Sequence, residues 1–213
     1  MPNFEKVCNE LMSDSRFMAW SQTATPKEHE LLSRVYDLGE RFFGDMLFEE
    51  GSTTYNYTKC QEKEADGKWR DTTVYLPPAL DYFSYSYFTY HIADLGVAAG
   101  RFDEESFSLA VAPDHVNDDV VILHEMIHLH EFVLEILPSY FRDAVLYCLY
   151  KDLQNKIDNL DQRIETHGHI LNSSNIANIG GTHDILFLLK SFDLDLRKGY
   201  KLGTVFGYGM VNE

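Results

Sequence analysis

The sequence predicts an α+β fold in which a small, mostly antiparallel sheet packs on helices, one of them bearing the pattern H-E-x-x-H. Three observations predict it. Apolar residues recur at helical spacing towards both ends of the chain, while the middle third is rich instead in β-branched and aromatic residues. An Asp66-Gly67 pair sits between two such β-rich stretches, where a hairpin needs its turn. Finally, VVILHEMIHLHEFVLEIL is apolar around most of a helical wheel, as a buried helix is.

At 213 residues the chain is long enough to bury a sizeable core, and a hydrophobic content of 45% agrees with a globular fold. It reads as one domain over 1–213, with a helical part at 1–50, the sheet at 52–112 and the motif helices at 117–198. Acidic residues outnumber basic ones, 34 to 18, and the formal charge of -16 repels phosphate backbones and anionic membrane surfaces. This argues against nucleic acid as the main partner. Cys8, Cys60 and Cys148 form no C-x-x-C pair, so neither a disulfide framework nor a zinc ribbon is indicated. The start, MPNFEKVCNELMSDS, lacks the basic and apolar regions of a signal peptide, and no run of about 18 apolar residues marks a membrane span. A cytoplasmic protein without a membrane partner is expected.

In chain order, Phe4, Val7, Leu11 and Met12 suggest a short helix, with the polar Ser21 to Thr25 as a loop behind it. Thr25-Pro26-Lys27-Glu28 places a capping box and a proline at the first helical position. The helix it opens presents Leu31, Leu32, Val35, Leu38, Phe42, Phe43 and Met46 to a core, and Gly51 helps to end it. TTYNYTKC and TTVYLP form the hairpin. DYFSYSYFTYHI and FSLAVAP follow; their alternating aromatics suit the half-buried face of a sheet, a substrate groove being the alternative. His91 and His115 read as surface or satisfied polar positions.

The motif helix is expected to start at Asn117 as N-cap and to end at Pro138. A second long helix, with Leu146, Leu149, Leu153, Ile157, Leu160 and Ile164 on one face, runs to Gly168. A polar loop then leads to Thr182, an N-cap candidate for HDILFLLKSFDLDL, and the glycine-rich tail reads as loop with one closing strand at most.

The chemistry centres on His124-Glu125-x-x-His128. Four residues apart on a helix, the two imidazoles project from one face and can grip one metal ion, while Glu125 reaches a water on that metal without ligating it. This is the zinc-peptidase arrangement of two ligands and a general base. The string arises by accident in roughly a few chains per hundred of this length, so its context matters. Two histidines and a glutamate in an apolar helix cost about one to several kcal/mol per unpaired polar group unless something compensates, and a metal does.

A catalytic zinc takes three protein ligands and keeps a fourth position for water. Glu135 lies about 10 Å further along the helix and Glu131 is in line with the pair, so the third ligand must come from elsewhere. His167, His169 and His183 are the candidates.

PDHVNDDVVILHEMIHLHE, followed after an insertion by GGTHDILFLLKSFDLDL, resembles the SprT-like and minimal gluzincin-type metallopeptidase domains. In SprT-like domains a third histidine opens a later helix behind a glycine-containing loop, with a phenylalanine soon after; Gly180, Gly181, His183 and Phe187 match. The resemblance covers residues 90 to 197 and implies a zincin-like fold with zinc on His124, His128 and His183. The chain departs from the family in its additional helix before His183, in having no cysteine-rich ribbon and in its acidity.

Rigidity also favours His183. With Thr182 as cap it occupies the first helical position, whereas His167 and His169 flank Gly168 where a helix is expected to end. The function expected is a zinc-dependent hydrolase acting on a peptide or protein substrate, with Glu125 as general base and Tyr200 or Tyr208 as oxyanion donor. Two alternatives stand beside it. One is a zinc clip closed by His167 or His169 in a non-catalytic interaction protein, and the other is a zinc amidohydrolase on a non-peptide substrate.

Overall fold

A computed structural model describes residues 15–46, 57–63, 69–75, 83–136, 139–172 and 183–207, with backbone only for 57–63, 69–75, 139–140 and 167–172. The fold is α+β. Helices α1 (Arg16–Thr23) and α2 (Pro26–Phe42) precede a hairpin of β1 (Tyr57–Lys63) and β2 (Trp69–Tyr75). Strands β3 (Thr89–Ile92), β4 (Gly100–Asp103) and β5 (Ser108–Val111) make a second sheet, and α3 (Asp119–Ile136), α4 (Ser139–Gln154), α5 (Leu160–Asn172) and α6 (Ile185–Lys198) follow.

The second sheet has the order β3-β5-β4, with β3 parallel to β5 and β4 antiparallel to it. It is therefore mixed, where a mostly antiparallel sheet is expected, because the 93–99 connection returns the chain to the far side of β5. The stretch around Tyr85 is not one strand either: Tyr85–Tyr87 form a 3-10 turn before β3 begins. Its aromatics serve the core, with Tyr85, Phe88 and Tyr90 all buried.

The expected capping box opens α2, the Thr25 side chain accepting from Glu28 N–H and Glu28 Oε2 accepting from Thr25 N–H at 2.7 Å. Four expectations at element boundaries are corrected. Ser21 to Thr23 belong to α1, because Trp20 anchors that helix by donating from Nε1 to Tyr90 O at 2.9 Å. The helix α2 ends at Phe42, where Lys190 Nζ and Arg197 Nη1 from α6 donate to its last carbonyl at 2.6 and 3.0 Å. Asp118, not Asn117, caps α3, accepting from Val120 N–H at 3.0 Å. The expected long helix after Pro138 is two, α4 and α5, broken at Asn159, whose φ of 56° an asparagine tolerates better than most residues. Gly51, Pro138, the hairpin turn at Asp66-Gly67 and the segment before Ser15 lie outside the described residues.

Among the described residues, one core unites α2, the second sheet and α3 to α6, and the motif helix runs through it. Nine apolar side chains of α3 are buried, each contributing about 1.5–3 kcal/mol, against three buried polar ones, His124, Glu125 and His130. Asp119 ties the start of α3 to both neighbours, accepting from Arg34 Nε at 2.9 Å and from Lys198 Nζ at 2.7 Å. No described helix is long and apolar enough to cross a membrane.

Candidate metal centre

His124 and His128 project from α3 towards the N-terminal end of α6, where His183 meets them. Ligand atoms of the three lie within 4.8 Å of one another, and His128 Nε2 is 3.2 Å from His183 Nε2. At Zn–N distances of about 2.0–2.1 Å, two ligands on one tetrahedral ion stand roughly 3.3–3.4 Å apart, so this pair has the separation of two ligands on one metal. Among the described residues the group comprises these three histidines, with no fourth ligating side chain.

Two of the three rings have a partner at the opposite nitrogen. Nδ1 of His124 lies 2.9 Å from Val205 O, and since a carbonyl only accepts, Nδ1 bears the proton and Nε2 offers its lone pair. His128 Nδ1 faces Glu131 Oε2 at 3.5 Å, while its Nε2 is the nitrogen turned to His183. Glu131 thus stands behind His128 rather than beside it as a ligand.

Burial lowers the pKa of all three histidines. His124 is pushed well below its ordinary value by burial and then by His128 and His183, against the Val205 carbonyl. For His128 burial outweighs the opposing charges of Glu125 and Glu104, and for His183 burial and then His128 bring it down to about 4. Neutral imidazoles are what a metal requires, because a protonated ring has no lone pair to give. Phe187 packs against all three rings, 4.1 Å from His183, 4.6 Å from His128 and 4.7 Å from His124 between centroids.

Glu125 is buried beneath β4. A Cβ at Gly100 would stand 2.6 Å from Glu125 Cγ and 2.8 Å from its Oε1, so the strand approaches this closely only with a glycine there. The same arrangement puts the carboxylate at the edge strand of the sheet.

The expected cap of the third-ligand helix is corrected: Asp184 is the N-cap of α6, accepting from Leu186 N–H at 2.7 Å and Phe187 N–H at 3.1 Å. His183 therefore precedes the cap, and an ion pair from Arg142 on α4 to Asp184 secures it instead. Thr182 lies outside the described residues. His167 and His169 do not flank a helix end, since α5 continues through both to Asn172. Tyr200 lies just past the far end of α6, roughly 20 Å along the helix axis from His183, so the structure does not bring it to the triad. Tyr208 is outside the described residues. His91 and His115 are satisfied polar positions, beside Thr89 Oγ1 at 3.0 Å and Asp118 Oδ2 at 3.3 Å.

Sequence reasoning passes over His130, the third histidine of the motif helix. Fully buried on the opposite face, it donates from Nδ1 to Met126 O at 2.7 Å, accepts at Nε2 from Tyr85 Oη at 3.1 Å and stacks on Phe43. Two positions beyond His128 is about 200° round the helix, and that was the available signal.

No protein-family model, curated protein or solved structure matches the chain. The functional reading therefore rests on the site.

Proposed function

We propose that the chain is a zinc-dependent hydrolase of zincin-like fold, most simply a metallopeptidase with Glu125 as general base. One observation carries the reading: three buried or half-buried histidines, His183 lying 55 positions from His128, converge at ligand separation, His124 with its far nitrogen held by the Val205 carbonyl. Zinc held there would supply Lewis acidity, lowering the pKa of a water it binds towards about 7 and polarising a substrate carbonyl.

The rest falls to the chain's own residues. His124, His128 and His183 present neutral nitrogens, while Val205 O and Glu131 orient two of them. Glu125 takes the proton of the attacking water and returns it to the leaving nitrogen as the carbon–nitrogen bond breaks. Phe187 closes the floor of the site against solvent. Among the described residues three histidines converge, the number of protein ligands that a catalytic zinc takes when its fourth position is left for water.

The test uses zinc-loaded protein, a mixture of unstructured peptides and a panel of simple amides, read by mass spectrometry. Cleavage should stop with a chelator. Glu125→Gln should keep its zinc and lose at least about 10²-fold in rate, because an amide cannot accept the proton. Cleavage that survives Glu125→Gln would remove Glu125 as the base, and products from the amides alone would make the enzyme an amidohydrolase.

A further inference from the structure

The orientation of His124 depends on a carbonyl, and that carbonyl depends on a buried carboxylate. Asp195, on α6, is fully buried, where an unpaired carboxylate would be costly. Three successive backbone N–H groups satisfy it: Gly203 at 2.7 Å and Thr204 at 3.1 Å on Oδ2, and Val205 at 3.0 Å on Oδ1. The chain reaches this position because Gly199 ends α6 in the left-handed conformation, with φ 71°, and reverses direction. Gly203, with φ 91°, then turns its N–H towards the carboxylate.

Val205 links the two sites through its own backbone. Its N–H is held by Asp195, and its C=O accepts from His124 Nδ1. The next residue, Phe206, packs 5.3 Å from the His183 ring. Any shift of the 203–205 turn thus moves the partner of one histidine and a neighbour of another.

We propose that Asp195 is a positioning residue of the metal centre, fixing the tautomer and rotation of His124 through the Val205 carbonyl. This rests on the reading of the three histidines as a zinc site. A carboxylate that merely stabilised the chain end would leave the His124 tautomer and zinc affinity untouched.

Two measurements on the full chain test it. Long-range 1H–15N correlation spectra of the zinc-free protein should show His124 protonated at Nδ1, and Asp195→Asn should lose that single-tautomer signature. Competition with a chromophoric chelator should show Asp195→Asn binding zinc about 10- to 100-fold more weakly, the range expected for outer partners of a ligand. Thr25→Ala, which weakens the fold at a distance, should leave zinc affinity unchanged.

Zinc binding by Asp195→Asn at wild-type affinity would overturn the proposal and leave the site intact, whereas a wild-type chain that binds no zinc would remove the site itself. Should Asp195→Asn not fold, the wild-type spectrum decides: His124 protonated at Nε2 overturns the proposal, and protonation at Nδ1 upholds the link.

Discussion

The two faces of α3 hold histidines under similar burial and to opposite ends. On one face His130 has both ring nitrogens occupied, by Met126 O and Tyr85 Oη, and an aromatic ring stacked on it. On the other, His128 directs its inner nitrogen at His183, nitrogen to nitrogen, and His124 offers its own beside them. Desolvation acts on both faces, lowering His130 to about 3 and His183 to about 4. What separates them is the kind of partner. Oxygens of the chain complete His130, whereas the converging nitrogens of the other face are what a cation would complete. Burial of a histidine therefore says little about function until the partner of each nitrogen is known.

The largest effects should come from separating the two faces. His183→Ala should lower zinc affinity by more than the roughly 10- to 100-fold that an outer partner contributes, while apo stability changes little. Chelator competition and thermal melts read the two quantities. A loss of stability without loss of affinity would make the metal face another structural one.

The next effect is pH dependence. His130 stays neutral in the fold down to about 3, whereas the ordinary value is 6.5. Its contribution is therefore complete above pH 6.5 and lost as pH falls from there towards 3, because only the unfolded chain takes up the proton. The loss is on the order of 5 kcal/mol across that window. In the zinc-free protein the buried His124, His128 and His183 add slopes of the same sign, so denaturant melts between pH 7.5 and 4 should fall more steeply than His130 alone dictates, and His130→Gln should reduce the slope without removing it. The zinc-dependent increment, about 4 kcal/mol at a thousand times Kd, should instead fade as the ligand histidines protonate.

Gly100→Ala sharpens the metal face itself. The added methyl overlaps Glu125 Cγ and should cost about 1–3 kcal/mol of stability while displacing the base, so the rate falls and zinc affinity holds. Smallest is Thr25→Ala at the capping box of α2, expected to cost about 1 kcal/mol with no change at the metal centre.

Local features of the site were legible in the sequence, and long-range ones less so. The spacing of His124, Glu125 and His128 follows from helix geometry alone. The helix starts were off by one residue in Asn117-Asp118 and by two in Thr182-His183-Asp184, because neighbouring residues can each cap and only the surrounding packing chooses between them. The break at Asn159 was hidden because Leu153 on α4, Ile157 in the connection, and Leu160 and Ile164 on α5 all still face the core. Val205 could not be found this way, since a backbone carbonyl leaves no trace in residue type. His183 was reachable because the loop glycines and the following phenylalanine resemble a known arrangement.

Metal content is the most direct test of the central claim. Protein purified without chelator should contain one zinc per chain by elemental analysis, and stripping it should lower the melting temperature until zinc is restored. A metal-free, fully folded protein whose melting temperature does not respond to added zinc would contradict the account.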